Sequence, residues 1–488
     1  MPGSDGAPAG PGDASPPAVP IRLSLTLPGS ASLGAYQAGA VSALAVTVNA
    51  LRQRGRPVRL DAIGGASAGS IVALLFTHCL LTGRDAPDML GRAWIDEVDI
   101  GLLRSGGGHS PLAFDDLRER MVHFLADEDR HPRRVHPPLD APVTLQVSLT
   151  DLLGRSRAVE IGTGPTELLS YADWLEFELR PDHDAAALTD GGASTEGAAP
   201  SVLDAVLASA SHPGAFPPVL VDGDRWCTDG GLVESRPVQR VVAAAQRRAG
   251  RSRATRLHLV VDPRSSGPTG GQGWDDPAAD KGWIDGLRRA LSILPTQALH
   301  DDLRDVLDVN RRLERLDELV DRLAPTVHDE PSRQSLRDDI ASVAGLDGCE
   351  RIDVDVINPL LVGRRREGET GVADLLAGDF IGAFGGFLQR DIRANDFNLG
   401  WRCTEAWIER GLGSHRVAPA DVDAVRAQVA AARPFDPAPG DLPAEGIEQL
   451  GALGRWRLAL LALQFGRVLT QQALRPPMAR VRHWVGAA

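Results

Sequence analysis

Residues 21–27 (IRLSLTL) place apolar side chains at every second position, the period of a half-buried strand. A Gly/Ser turn follows, and the small-residue run from Gly34 to about Arg52 predicts a helix. The pattern then recurs: Asp61–Ala66 reads as a short strand and Ser67–Leu81 as a buried apolar helix. Two strand–turn–helix units within eighty residues predict an α/β sheet of parallel strands, with turn chemistry at their carboxyl ends. Further strands are predicted at 141–150, 156–161, 172–179, 219–228 and 255–262, with a polar, Gly/Ala-rich loop over 182–200. A loop at about 264–278 marks a boundary. Beyond it the pattern changes to long helices, roughly 279–323 and 332–344, before 351–357 (RIDVDVI) reads as one more strand. That strand is expected to return to the main sheet, which makes the helical stretch an insertion. Helices continue to about Ala432, and a Pro-rich linker at 434–443 precedes a final helix and tail.

Composition narrows the picture. The chain of 488 residues is 43% hydrophobic and only 5% aromatic, which predicts a large globular core rich in small residues. A net charge of -13 argues against nucleic acid as a partner, because phosphate backbones need a basic footprint. Cys79, Cys227, Cys349 and Cys403 are far apart, without zinc-ligand spacing or a disulfide framework, and are expected to be reduced and mostly buried. No carboxylate cluster has metal-ligand spacing, so neither metal nor cofactor is expected. The first twenty residues lack the apolar segment of a secretory signal and are expected to be disordered. No stretch reads as long and apolar enough to span a membrane. The default expectation is a cytoplasmic protein, with peripheral membrane contact left open.

The strongest local motif is Gly65-Ala66-Ser67-Ala68-Gly69, a G-x-S-x-G between a predicted strand and a predicted helix. In that context a serine sits on a sharp turn, its hydroxyl above the sheet edge and a helix N-terminus behind it to favour developing negative charge. A small-residue turn with a capping serine has the same spelling. The second element is the loop from Pro28 to Gly34 (PGSASLG), whose backbone N–H groups at Gly29, Ser30, Ala31 and Ser32 could converge on an oxyanion. Its glycine spacing fits neither nucleotide-binding loop, and it contains no lysine. The third is Asp229-Gly230-Gly231 after a strand-like stretch, which by itself is an ordinary turn.

These elements, in this order, resemble the patatin-like phospholipase family. The stretch Ala208-Ser209-Ala210-Ser211-His212-Pro213-Gly214-Ala215-Phe216-Pro217-Pro218 is similar to that family's A-S-x-A-x-P-x-x-F-P-P segment. The resemblance covers residues 21–262 and extends more weakly through Phe384-Gly385-Gly386-Phe387 and Asp396-Phe397. It implies a three-layer α/β/α fold with a mostly parallel sheet, a helical insertion and a helical C-terminal region. The expected organisation is a disordered segment 1–20, a catalytic core 21–262, a helical region 263–432, a linker 433–448 and a basic helix and tail 449–488. The resemblance further implies a lipid or acyl-ester hydrolase working through a Ser–Asp dyad: Ser67 attacks, Asp229 takes and returns its proton, and an acyl-enzyme forms. Residues 29–32 would hold the oxyanion, and Gly34, Gly65, Gly69, Gly230 and Gly231 would support the turns. One departure stands out. The family loop reads G-G-G-x-[RK]-G, and here Ser30, Ala31 and Leu33 replace two glycines and the basic residue.

Two other readings remain open at this level. An α/β-hydrolase with a Ser-His-Asp triad needs a late histidine; His300, His328, His415 and His483 are isolated, and His212 is the one near the motifs. A catalytically silent scaffold that binds lipid or protein is motivated by the altered loop. The tail is a separate matter. From Gln449 onward there is no acidic residue, while Arg455, Arg457, Arg467, Arg475, Arg480 and Arg482 accompany Trp456, Leu460 and Leu463. A helix of that kind either lies on an anionic membrane or docks on this acidic protein.

Overall fold

The computed structural model describes residues 19–103, 110–126, 134–161, 164–183, 185–189, 200–249, 254–264, 304–323, 329–346, 349–362, 375–434 and 446–473, with 193–194, 197–198 and 282. The N-terminal segment 1–18, most of 264–303 and the linker 435–445 lie outside the described residues.

The molecule is a three-layer α/β/α assembly around one eight-stranded mixed sheet. In chain order its elements are β1 (Ile21–Leu27), α1 (Gly34–Gln53), β2 (Val58–Gly65), α2 (Ala68–Thr82), α3 (Ala86–Gly91) and α4 (Asp115–Ala126). Then come β3 (Val143–Ile161), β4 (Gly164–Leu179), α5 (Val202–Ser209), β5 (Val219–Val221), β6 (Arg225–Asp229), α6 (Val238–Ala249) and β7 (Thr255–Val261). A helix over 304–323 (α7), α8 (Glu330–Val343), β8 (Asp353–Ile357), α9 (Arg390–Arg410), α10 (Pro419–Ala431) and α11 (Ala452–Ala473) complete it. The strands run in the order β8-β7-β1-β2-β3-β6-β5, with β4 on the other side of β3. From β8 to β3 all pairings are parallel; β3 with β4, β3 with β6, and β5 with β6 are antiparallel. Strand β8, expected from 351–357, pairs with β7.

Three readings of the sequence need revision. The strands predicted at 156–161 and 172–179 belong to one long hairpin with 141–150. Asp151 Oδ1 accepts the N–H groups of Leu153 and Gly154, at 2.9 and 3.2 Å, so what reads as a turn is a bulge, and pairing resumes at Arg155. The strand predicted at 219–228 is two, folded back at Asp222 and Gly223, both with positive φ. Finally, the segment Ala31–Gln53 does have the length and mean hydropathy (1.3) of a membrane span, yet 94% of that window is buried inside the protein. It is a central helix with helices on several sides, so its apolar character satisfies a core rather than a bilayer.

Glycine makes that central position possible. A Cβ on Gly39 of α1 would stand 1.9 Å from the Phe397 carbonyl oxygen, and one on Gly400 of α9 would stand 1.9 Å from that of Tyr36. The two helices therefore cross backbone on backbone, where Thr404 Oγ1 also donates to Ala40 O at 3.1 Å. All four cysteines are free, three of them buried and Cys349 half-buried.

Candidate active site

The sheet itself brings Ser67 and Asp229 together. Strands β2 and β6 pair with β3 at successive positions: β2 ends with Gly65 opposite Val147, and β6 ends with Asp229 opposite Leu149. The two carboxyl-terminal ends thus meet two residues apart along β3, about 7 Å at the rise of a strand. Thr150 Oγ1 donates to the Asp229 carbonyl at 2.8 Å and holds that end in place.

Ser67 occupies a left-handed backbone conformation (φ 54°, ψ -132°) immediately before α2, which starts at Ala68 rather than at Ser67. Such a conformation costs about 1–3 kcal/mol and persists only where neighbours hold it. Here Ser209 Oγ accepts the Ser67 N–H at 2.9 Å and donates to Ser148 O at 2.7 Å, while Ser70 Oγ donates to Ser67 O at 2.6 Å. The flanking glycines serve close approach: a Cβ on Gly65 would lie 2.5 Å from Ser70 N, and one on Gly69 2.2 Å from Leu27 O. Gly34 and Gly230 act alike: a Cβ there would stand 2.3 Å from the Trp94 ring and 2.1 Å from Ser148 O.

Asp229 is buried beside Ser67, whose hydroxyl helps to hold its carboxyl ionised. Its Oδ1 also accepts the Gly231 N–H at 2.7 Å. Desolvation raises the carboxyl above its ordinary range; the Ser67 and Gly231 hydrogen bonds and the charges of His212 and Arg264 pull the other way. His212 is exposed beside the site with its ring edge-on to Phe384 at 5.7 Å. It acts on Asp229 only through space.

The loop at 29–32 is arranged differently from the even spread of donors that its sequence suggests. The Gly29 N–H donates to Ser235 O at 3.3 Å, and the Ser32 N–H to Ala383 O at 2.9 Å, so neither is free for an oxyanion. Ser30 and Ala31 keep N–H groups without a partner among the described hydrogen bonds. Ala31 itself has φ 46°. Gln37 supports the loop, accepting from Ser30 Oγ at 2.8 Å and donating to Pro28 O at 2.9 Å. The Ala68 N–H, first in its helix, has no intrahelical partner. Ala31, Ser67 and Ala68 all open onto one apolar cleft of about 780 Å³, measured out to its open mouth and walled by Trp94, Phe216 and Phe384 among others. Among the described residues no group of three or more His, Cys, Asp or Glu side chains could hold a metal ion.

Two contributors are named in the sequence only as parts of motifs, without a role. Ser209 was legible only as part of a motif, although its hydroxyl bridges the elbow to β3. Asp396, buried and pushed up to about 8, accepts the Ala377 and Gly378 N–H groups at 2.9 and 3.0 Å and fixes a segment that reaches the loop at 29–32.

The structure is an α/β fold in which a strained serine stands on a strand–helix elbow, beside a buried carboxylate and open to an apolar cleft. Residues 25–242 match the model of the patatin-like phospholipase family, and the chain carries a patatin-like phospholipase domain. Lipid hydrolysis is the activity of that family. Over 314 residues the chain is 28% identical to an uncharacterized membrane protein of Mycobacterium tuberculosis, Rv3479, covering 58% of this chain and 28% of that protein. The chain therefore spans little more than a quarter of the length of this relative. The crystal structure of VipD from Legionella pneumophila superposes with a TM-score of 0.29 at 11% identity, covering 86% of this chain and 75% of VipD. A likeness that loose bears on neither activity nor substrate.

Proposed function

We propose that the protein is a lipid acyl hydrolase in which Ser67 is the nucleophile and Asp229 its general base. The observation that carries this reading is the meeting of β2 and β6 on β3, which sets the strained Ser67, open to the apolar cleft, beside the buried Asp229 carboxylate. As Ser67 Oγ attacks the ester carbonyl, its proton passes to Asp229. The carbonyl oxygen becomes an oxyanion that the Ala31 and Ala68 N–H groups can receive. The C–O bond to the alcohol then breaks, the alcohol leaves with the proton from Asp229, and the acyl group stays on Ser67. Water then attacks the acyl carbonyl, giving its proton to Asp229, and the bond to Ser67 Oγ breaks as Asp229 returns that proton to Oγ and the fatty acid leaves. The apolar walls suit an acyl chain.

Hydrolysis of a soluble p-nitrophenyl ester tests this. The base works only when ionised, so kcat/KM is expected to rise with pH through an acid limb lying above the ordinary carboxylate range. Asp229→Asn is expected to lower kcat at least about 10³-fold, by analogy with the loss of a base elsewhere. A flat profile, or an active Asp229→Asn enzyme, would rule the dyad out.

We further propose peripheral contact with lipid through α11. The helix docks on the protein along Gly454, Leu461 and Val468, and Arg457 pairs with Asp99 at 2.6 Å. Leu453, Trp456 and Leu463 point outward, 61%, 57% and 70% exposed, on a helix without acidic residues. Such a face suits the headgroup–acyl boundary. Replacing all three with serine is expected to weaken binding to anionic vesicles about tenfold in flotation while soluble-ester turnover persists; undiminished binding would disprove this contact.

A further inference from the structure

The loop that replaces the family's glycines is held from outside the matched domain. Ser32 is fully buried, and both of its donors go to one acceptor: N–H to Ala383 O at 2.9 Å and Oγ to the same oxygen at 2.6 Å. Its Oγ in turn accepts the Gly386 N–H at 3.0 Å. The receiving segment is unusual, with Ile381, Gly382 and Ala383 all at positive φ, two of them not glycine. It is fixed at both ends. Asp396 accepts the Ala377 and Gly378 N–H groups, and the Arg393 guanidinium donates to Gly386 O at 2.9 Å and to Ile95 O at 2.7 Å. On the other side of Ala31, Gln37 anchors Ser30. Ala31 thus sits between two tethered neighbours in a left-handed conformation that alanine does not adopt by preference.

We propose that Ser32 is a positioning residue for catalysis: by tying the loop to the Ala383–Gly386 segment it fixes Ala31 in the conformation that aims its N–H at the oxyanion. Where a run of glycines would permit that conformation, this chain imposes it through hydrogen bonds. Residues 375–388, late in the chain, are then part of what makes the Ser67 site competent, and their Phe384 and Phe387 also wall the cleft. The inference rests on the reading of Ser67 as nucleophile.

The experiment compares wild type, Ser32→Ala and Ser32→Cys on a soluble p-nitrophenyl ester. It also measures affinity for a trifluoromethyl ketone with the same acyl chain, which adds to Ser67 and places an oxyanion where the transition state has one. For Ser32→Ala, kcat is expected to fall about 10–100-fold with KM within twofold, and ketone affinity to weaken by the same factor. The near-isosteric Ser32→Cys, with a weaker donor, is expected to fall between; it carries the test should the alanine variant not fold. A folded variant with kcat within twofold of wild type, or with ketone affinity unchanged, overturns the role of Ser32. Wild type that neither turns over nor binds the ketone sinks the Ser67 reading itself, and an active wild type with an inactive Ser67→Ala separates the two cases.

Discussion

Ser67→Ala is expected to lower ester hydrolysis at least about 10³-fold and to leave the fold intact. Among the described residues Ser67 is the hydroxyl that acts on the Asp229 carboxyl, so the nucleophile is lost with it. The strained backbone at position 67 is held by Ser209, Ser70 and the meeting of β2 and β6, none of which needs the Ser67 side chain. The Asp229 carboxyl loses one of the hydrogen bonds that keep it ionised, so it is expected to move further up. His212→Ala is the companion experiment. Because His212 acts on Asp229 only through space, its removal is expected to keep activity within about tenfold of wild type, an effect far smaller than loss of a catalytic base. Esterase activity measured on purified, folded variants decides. A dead His212→Ala enzyme would favour a histidine-dependent mechanism, and an active Ser67→Ala enzyme would move the chemistry elsewhere.

Gly400→Ala is expected to be, with Gly39→Ala, among the most damaging single methyls at the described glycines, costing about 3 kcal/mol, at the upper end of what overpacking produces. Its Cβ would meet the Tyr36 carbonyl oxygen at 1.9 Å and Ala40 N at 2.9 Å, both backbone atoms of a helix locked in the core. No rotamer relieves that contact. The helices α1 and α9 would have to separate, which also breaks the bond from Thr404 to Ala40. Gly413→Ala is the control, since a Cβ there meets nothing within 4 Å. The check is the urea midpoint at constant slope. A Gly400→Ala midpoint equal to that of Gly413→Ala would mean that the crossing is looser than its geometry states.

The sequence patterns carried the framework well where they were local. The bounds read at 21–27 are those of β1, although Ser24 and Thr26 are buried as well, so the strand is covered on both faces rather than half-buried; the G-x-S-x-G spelling locates the elbow to within one residue of the helix start. Asp229 is a different matter: its D-G-G turn is commonplace, and only resemblance singled it out. The pairing of β2 and β6 with the same strand, which places the two side chains together, is a non-local fact that no window of residues contains. The donors at 29–32 show the same limit. Four N–H groups look equivalent in sequence, but Ser235 and Ala383, more than two hundred positions away, take two of them. The apolar run of α1, which does meet the length and hydropathy of a span, shows the limit from the other side, because a helix surrounded by protein and one surrounded by lipid obey the same composition rule.

The long β3–β4 hairpin has a consequence for motion. Up to Asp151 strand β3 has neighbours on both sides, but from Arg155 outward each described rung pairs only with β4. A two-stranded ribbon is marginal by itself in water. Its outer amides therefore exchange with solvent through local fraying, at a free-energy cost well below that of global unfolding, while those of β1, β2 and β7 wait for the whole sheet to open. The bulge at 151–154 divides the two regimes. Thr150, which holds Asp229, lies on the protected side of it, so the ribbon can breathe without disturbing the serine and the carboxylate at its base.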